Sequence, residues 1–236
     1  VFGVLDIETA GIDGVVLPVA STKPEGLEYL WGTDLTEFLI DGQTIAPLSC
    51  IPLFLDTGSS EFKGAATYLD PILSQFKSLT YQGRPIFTPY PANASLDEAG
   101  TNGGDAKLEG LIYADGKGPH DYPDGVLPTI CLHLGTDCNG QPGVPAQLTL
   151  DAQAYSYQVE AGPQQGKWVL GFKVLDGLDG MAVGSVLLDG FVTQFTYVAS
   201  EKPDTGGYTQ GPIRLFPLNA PQTNRVGFAC ATNAAD

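Results

Sequence analysis

The stretch from residue 51 to residue 60 constrains this chain more than any other part of its sequence. A run of apolar residues leads into Asp56, and Thr57, Gly58 and Ser59 follow at once. This pattern predicts a buried strand that breaks into a tight turn with a carboxylate at its tip. Gly58 allows the backbone to fold back beneath the acid, and neighbouring amides and hydroxyls can orient the carboxylate oxygens. A carboxylate held in this way can activate a water molecule.

An Asp-Thr-Gly tripeptide is a weak signal by itself, because these residue types are common in ordinary turns. The chain contains a second copy at Asp204-Thr205-Gly206, which follows Lys202 and Pro203 instead of an apolar strand. We expect this second copy to be a surface turn. The apolar lead-in is what distinguishes the first.

Composition excludes several classes of partner. A chain of 236 residues with 43% hydrophobic and 16% charged residues is typical of a folded globular protein. Its 27 acidic and 11 basic residues give a formal net charge of -16, which argues against nucleic acid or an anionic membrane surface as a partner. A scarcity of Lys and Arg is also typical of proteins that work in acid, where most carboxylates are protonated.

The sequence contains no segment expected to enter a membrane. No apolar run approaches the roughly 20 residues needed to cross a bilayer, and the sequence begins at Val1 without a Met or an apolar leader. We therefore expect a processed, soluble and secreted chain, located outside the cell or in a vacuolar or lysosomal lumen.

The four cysteines predict disulfides. Their spacing makes no convincing zinc site with the two histidines, His120 and His133, and we expect neither a metal nor a cofactor. Of the three possible pairings, we expect Cys131 with Cys138, which flank a short glycine-containing turn, and therefore Cys50 with Cys230. Disulfides indicate an oxidising, secretory compartment.

Asn93 begins an Asn-Ala-Ser sequon. In a secreted protein this tripeptide is a candidate site of N-glycosylation on a surface loop.

The distribution of glycine and proline predicts an all-β body. The 30 glycines and 18 prolines separate short segments that are rich in branched and aromatic residues. The predicted strands cover residues 14–19, 33–40, 51–55, 127–134, 146–150, 155–158, 168–174, 181–198, 213–218 and 225–229. Asp41-Gly42 is typical of a hairpin turn into residues 43–45, and residues 88–125 and 199–212 are predicted to be long loops.

One segment has a helical pattern. Residues 66–79 place Leu69, Ile72, Leu73 and Phe76 on one face. Asp70-Pro71 is expected to cap and begin the main part of this helix.

Taken in order, these segments resemble the C-terminal lobe of the pepsin-like aspartic proteases. The resemblance is carried by residues 1–19, the hairpin at 31–45, the Asp56 motif, the helix, the strand pair at 127–155, residues 186–198 and the closing strand at 225–229. It covers nearly the whole chain and implies one β-barrel lobe spanning residues 1–236.

The resemblance also implies roles for the motif. Asp56 would be one of two catalytic carboxylates of an endopeptidase that hydrolyses peptide bonds in peptides and proteins. Ser59 would hydrogen-bond the outer oxygen of Asp56, Thr57 would tie the loop to a partner lobe, and Gly58 would place an amide near the shared water. One departure concerns Leu188, because the family has a glycine at the corresponding position.

The second carboxylate has no clear counterpart in the sequence. Aspartic proteolysis needs two carboxylates that share one proton, one ionised to accept a proton from water and one protonated to polarise the scissile carbonyl. Asp6 and Asp189 are candidates within the chain, but their contexts favour structural roles. We expect the second Asp to come from an N-terminal lobe, as a separate chain of the same precursor; a homodimer mate is the less favoured source.

Other functions remain open from sequence alone. Pepsin-like folds include non-catalytic inhibitors of plant-cell-wall-degrading glycoside hydrolases, and a lone β domain without activity is a third alternative. A serine triad is not favoured, because Ser59 and Ser60 lack the Gly-x-Ser-x-Gly elbow. Five aromatic residues either line a peptide cleft or belong to the core: Tyr29, Trp31, Tyr155, Tyr157 and Trp168.

Overall fold

The computed structural model describes residues 14–21, 23–45, 50–89, 110–135, 138, 146–160, 164–199, 208–217 and 226–227. In this part of the chain strands predominate, as predicted. They are β1 (Val15–Leu17), β2 (Gly32–Ile40), β3 (Gln43–Thr44), β4 (Ile51–Leu55), β5 (Phe62–Gly64), β6 (Thr80–Tyr81), β7 (Arg84–Pro85), β8 (Phe87–Pro89), β9 (Leu111–Tyr113), β10 (Ile130–Leu134), β11 (Ala146–Leu150), β12 (Ser156–Gln158), β13 (Trp168–Leu170), β14 (Phe172–Val174), β15 (Met181–Val183), β16 (Phe191–Ala199), β17 (Tyr208–Pro217) and β18 (Val226–Gly227). The helices are α1 (Ala66–Lys77) and α2 (Ser185–Leu188), with 3-10 turns at Ala114–Gly116 and Pro119–Asp121.

The largest sheet has the order β14-β5-β15-β4-β2-β10-β11-β18, and β3 pairs with β2. β4 lies near its middle, antiparallel to β2 and parallel to β15. All five residues of β4 are buried, because a strand covered on both faces is apolar along its whole length. The apolar lead-in to Asp56 is therefore an inner strand of the main sheet.

Three smaller sheets complete the architecture: β1-β17-β16, β12-β13-β9-β8 and the hairpin β6-β7. The described strands form open sheets that pack over a shared core. The mainly-β prediction is confirmed, and the described strands form several sheets without closing into a barrel.

Helix α1 packs onto this core through the face that its sequence predicts. Leu69, Ile72, Leu73 and Phe76 are all fully buried, with Phe76 in contact with the rings of Phe87, Tyr155 and Phe172. The start of the helix differs from the prediction. It begins at Ala66, where the Tyr68 and Leu69 amides donate to the Ala65 carbonyl, so that Pro71 lies inside the helix.

Most other predicted strands are confirmed, with changed boundaries. The 168–174 segment is two strands that break at Gly171, where a Cβ would overlap Val186. Two predicted loops contain regular structure: Leu111–Tyr113 is a buried strand, and β17 already begins at Tyr208. Glycine-rich flanks and polar residues conceal these short apolar stretches in the sequence.

The long predicted strand at 181–198 contains the main error of the sequence interpretation. It is β15, then α2, then β16, and β15 alone crosses behind the Asp56 turn, between β4 and β5. The next residue is Gly184, whose added Cβ would overlap the Ser59 carbonyl. Gly184 is therefore a glycine that lies against the Asp56 turn, whereas Leu188 is the last residue of α2.

The predicted disulfides are also wrong. Cys50 bonds to Cys138, with Cα atoms 5.4 Å apart, and Cys131 is disulfide-bonded as well. Cys131 lies in β10, whereas Cys138 follows β10 in sequence and is bonded to Cys50, the residue before β4. The short sequence separation of Cys131 and Cys138 was therefore a poor guide to the disulfide pairing. Cys230 lies outside the described residues, as do Asp6, Asn93 and the Asp204-Thr205-Gly206 copy.

No helix in the described ranges is long and apolar enough to span a membrane.

We predict that non-reducing peptide mapping will recover a Cys50–Cys138 peptide. Because this bond closes a separation of 88 residues, its loss in a Cys50→Ser, Cys138→Ser double variant should lower the unfolding free energy by about 4–5 kcal/mol in the chain-entropy model. Urea denaturation without reductant measures the difference. Recovery of a Cys131–Cys138 peptide would contradict the approach of Cys138 to the start of β4.

We also predict that Gly184→Ala will destabilise the fold by about 1–3 kcal/mol, because the methyl group meets backbone that cannot move aside. Gly58→Ala is the matched control in the same loop, since its Cβ would meet only Asp56 Oδ1, at 3.4 Å. Thermal and urea unfolding measure both variants. Equal losses would show that the contact of Gly184 with Ser59 is not tight.

Candidate functional site

Asp56 follows β4 directly and opens a six-residue loop that runs to β5. We call residues 56–61 the Asp56 loop. The Leu55 amide donates to the Trp31 carbonyl at 2.8 Å, and the Asp56 amide donates to the Val183 carbonyl at 2.9 Å. The Asp56 backbone is therefore fixed from both neighbouring strands, while its side chain is half-buried.

The loop folds back onto the carboxylate. The Gly58 amide donates to Asp56 Oδ1 at 3.0 Å, and the Ser59 amide donates to the Asp56 main-chain carbonyl at 3.2 Å. This is the tight turn that the sequence predicts. An amide aimed at a carboxylate oxygen holds the side chain in one orientation.

Residues 184–186, which we call the strap, hydrogen-bond to the main chain of the Asp56 loop. Gly184 N donates to Glu61 O at 3.1 Å, Ser185 N to Ser59 O at 3.0 Å, and Val186 N to Ser60 O at 3.1 Å. The strap follows β15 without interruption, so the loop is bonded to the sheet at each end and along its length. Sequence reasoning missed Gly184, although an apolar triplet followed by glycine was a usable signal.

The other predicted motif residues take partly different positions. Ser59 is buried, and its hydroxyl donates to the Asp56 main-chain carbonyl at 3.4 Å, whereas we expected a bond to the carboxylate. The backbone turn brings the Ser59 side chain beneath the loop, toward the strap. Thr57 and Gly58 are exposed beside Asp56.

The far end of the loop is held by a side chain. Glu61 is only 12% exposed, and its Oε1 accepts a hydrogen bond from the Tyr157 hydroxyl at 2.8 Å. Its Oε2 lies 3.9 Å from Lys63 Nζ. No sequence signal indicated this contact, because Glu61 and Tyr157 are 96 residues apart.

No hydrogen bond or ion pair among the described residues joins Asp56 to another acid. Asp189 is the C-cap residue of α2. Asp34 is a buried acid that the sequence interpretation missed; its two oxygens accept the Ser21 amide at 3.1 and 3.0 Å and so fix the turn before β2.

Neither histidine takes part in a nucleophilic arrangement within the described ranges. His133 Nδ1 lies 2.7 Å from Glu37 Oε2 on the paired strand, and the His120 ring stands edge-on to Trp168. No group of three potential metal-binding side chains occurs in the described residues.

The five aromatic residues named from sequence separate into core and surface. Tyr155 is fully buried; its hydroxyl donates to the Pro128 carbonyl at 2.7 Å, and burial raises its pKa well above the ordinary value. Trp31, Tyr157 and Trp168 are half-buried, and Tyr29 is 71% exposed. Tyr155 therefore does not line a cleft.

Exposed or half-buried aromatic and apolar side chains lie on β16 and on the segment that precedes β2. We call Tyr29, Trp31, Phe195, Tyr197 and Val198 the aromatic face. The Trp31 ring lies 5.1 Å from that of Phe195 and 5.0 Å from that of Tyr197, and Tyr197 is 64% exposed. β16 is an edge of this sheet among the described strands.

In the main sheet, β4 is buried and three strands separate it from β18. The aromatic face remains connected to the Asp56 loop, because the Trp31 carbonyl accepts the amide of Leu55, the residue before Asp56.

Hydrogen bonds of Lys23 and Gln210 fix the segment that carries part of the aromatic face. Lys23 Nζ contacts the Leu30 carbonyl at 2.8 Å and the Gln210 side-chain oxygen, and Gln210 Nε2 donates to the Tyr29 carbonyl at 2.8 Å. Burial lowers the pKa of Lys23, partly offset by the nearby Glu28 carboxylate. The segment that carries Tyr29 and Trp31 is thus tied to β17.

Comparison with known proteins supports the fold and no finer assignment. No protein-family model matches the chain, and no curated protein matches it in sequence. Among solved structures, the chain is similar to basic 7S globulin from soybean, with a TM-score of 0.52 and 10% identity over 86% of this chain. The match covers 42% of that protein, so the chain spans well under half of its length. At this identity the likeness shows a pepsin-like fold alone.

Proposed function

We propose that this chain is the C-terminal lobe of a secreted pepsin-like aspartic endopeptidase, in which Asp56 is one of two catalytic carboxylates. The observation that carries the proposal is the Asp56 loop. Its carboxylate is half-buried at the end of an inner strand, is oriented by the Gly58 amide, and is strapped to the sheet from behind. This is more restraint than an ordinary surface turn requires.

The chemistry calls for a second carboxylate from outside the described residues. With Asp56 ionised and its partner protonated, one acid takes a proton from water while the other polarises the peptide carbonyl. The Gly58 amide donates to Asp56 Oδ1 and so orients the carboxylate beside which the shared water would lie. Thr57 is exposed beside Asp56, which supports a role for it in contact with a second lobe.

A partner lobe is the proposed source of that carboxylate, supplied as a separate chain of the same precursor. The chain matches 42% of the length of a solved structure with this fold, which leaves room there for a second unit of similar size. We propose that the partner covers the aromatic face, because exposed aromatic residues beside a long edge strand favour association. A second copy of this chain is the alternative occupant.

The Cys50–Cys138 disulfide is typical of an oxidising compartment, which supports the assignment to a secreted protein. The strongly acidic composition fits work at low pH, where protonation removes much of the repulsion between carboxylates.

The isolated chain should show little or no peptide hydrolysis at any pH, because a single Asp lacks a proton-sharing partner. Adding an N-terminal lobe of the same precursor should produce acid-dependent cleavage that pepstatin inhibits. Asp56→Asn should then lower kcat by about a thousandfold or more, as expected when a group acting in the transition state is lost, without a change in unfolding free energy. A peptide-cleavage assay from pH 2 to 7 measures this.

Asp189→Asn is the matched control and should retain activity. Robust cleavage by the monomeric chain would contradict the need for a partner and would direct the search to acids within the chain. Absent cleavage with the partner lobe present, together with tight binding to a plant-cell-wall-degrading glycoside hydrolase, would replace the proposal with the inhibitor function.

A further inference from the structure

The two ends of the Asp56 loop are fixed in different ways. At its start, main-chain bonds to Trp31 and Val183 hold Leu55 and Asp56. At its end, Glu61 accepts two hydrogen bonds. Its main-chain carbonyl accepts one from the Gly184 amide, and its side-chain carboxylate accepts one from the Tyr157 hydroxyl. Glu61 therefore joins residues 184–186 to the separate β12-β13-β9-β8 sheet.

The Glu61 side chain does not have the surroundings of an ordinary surface acid. It is 12% exposed, although a lone glutamate in a turn gains by remaining in water. Its Oε1 and Oε2 have different partners, Tyr157 at 2.8 Å and Lys63 at 3.9 Å. Hydrogen bonds to an ionised acceptor are stronger than neutral ones, so the contact with Tyr157 is well suited to hold the loop.

Tyr157 is itself a firm support. It lies in β12, paired with Val169 of β13, and its ring packs against the small cluster formed by Ile112, Val159 and Val169. A hydroxyl carried by such a strand cannot follow the loop if the loop moves. Loss of this contact would therefore release the end of the loop and leave the sheet in place.

We propose that Glu61 is a positioning residue, which through its hydrogen bond with Tyr157 holds the Asp56 loop and thereby the orientation of the Asp56 carboxylate. Only Thr57 to Ser60 separate Asp56 from Glu61, and the Gly58 amide that orients the Asp56 carboxylate belongs to this short segment. The role in catalysis rests on the proposed function, whereas the mechanical coupling does not.

The coupling can be tested in the isolated chain by amide hydrogen exchange, read by NMR. Tyr157→Phe should speed exchange at the Gly58 and Ser59 amides by at least about tenfold, the effect of losing a hydrogen bond to a charged group. Amides of the three-stranded sheet should change by less than about threefold. Glu61→Gln keeps an acceptor for Tyr157 and should give a smaller increase at the same two amides.

Tyr68→Phe is the matched control. It removes another tyrosine–carboxylate hydrogen bond, from the Tyr68 hydroxyl to Asp179 at 3.3 Å, outside the Asp56 loop. It should leave exchange at Gly58 and Ser59 within about threefold of the parent chain. If Tyr157→Phe and Glu61→Gln change these amides no more than Tyr68→Phe does, or change all sheets equally, Glu61 has only a structural role and the inference is wrong.

A second readout applies to the chain reconstituted with its partner lobe. Tyr157→Phe should lower kcat by about tenfold with KM nearly unchanged, because a loosened carboxylate affects the transition state more than substrate binding. An inactive reconstituted pair would contradict the proposed function and leave the exchange result standing. Active enzyme with an unchanged kcat would contradict the positioning role alone.

Discussion

The parallel pairing of β15 with β4 is the interaction on which this structure depends. β4 ends at the Asp56 loop, and the chain emerging from β15 returns three backbone amides to that loop from Gly184, Ser185 and Val186. A loop bonded in this way cannot relax into a different turn unless the sheet opens. Gly184 is required because any side chain there would overlap the Ser59 carbonyl.

The local features were predictable from sequence because their causes are local. The apolar run before Asp56, the Asp41-Gly42 hairpin and the buried face of α1 all follow from short-range patterns. The errors concern long-range pairing. The sequence between residues 181 and 198 is largely apolar, so it did not reveal that residues 181–183 enter the main sheet and residues 191–198 a different one. Cys138 likewise bonds to Cys50, 88 residues away in sequence, and no local sequence pattern indicates this pairing.

The same distinction separates what was found at the site from what was missed. Asp56 and the Gly58 amide belong to one short motif, and the motif predicted their contact. Glu61 and Tyr157 meet only because two sheets pack together. Ser59 contains the right chemical group, yet the backbone turn directs its hydroxyl to a carbonyl. The residues that support a site are therefore harder to predict than the residue that gives it its chemistry.

We infer that the Asp56 carboxylate, which the Gly58 amide orients, forms half of a two-carboxylate centre. The aromatic face nearby would be the surface that the other half covers. Native mass spectrometry of the protein purified from its source tests that claim most directly. We predict a complex in which the 24.8 kDa chain is bound to a second polypeptide of lobe size. A mass of the single chain alone, with Tyr29 and Tyr197 accessible to chemical labelling, would contradict it.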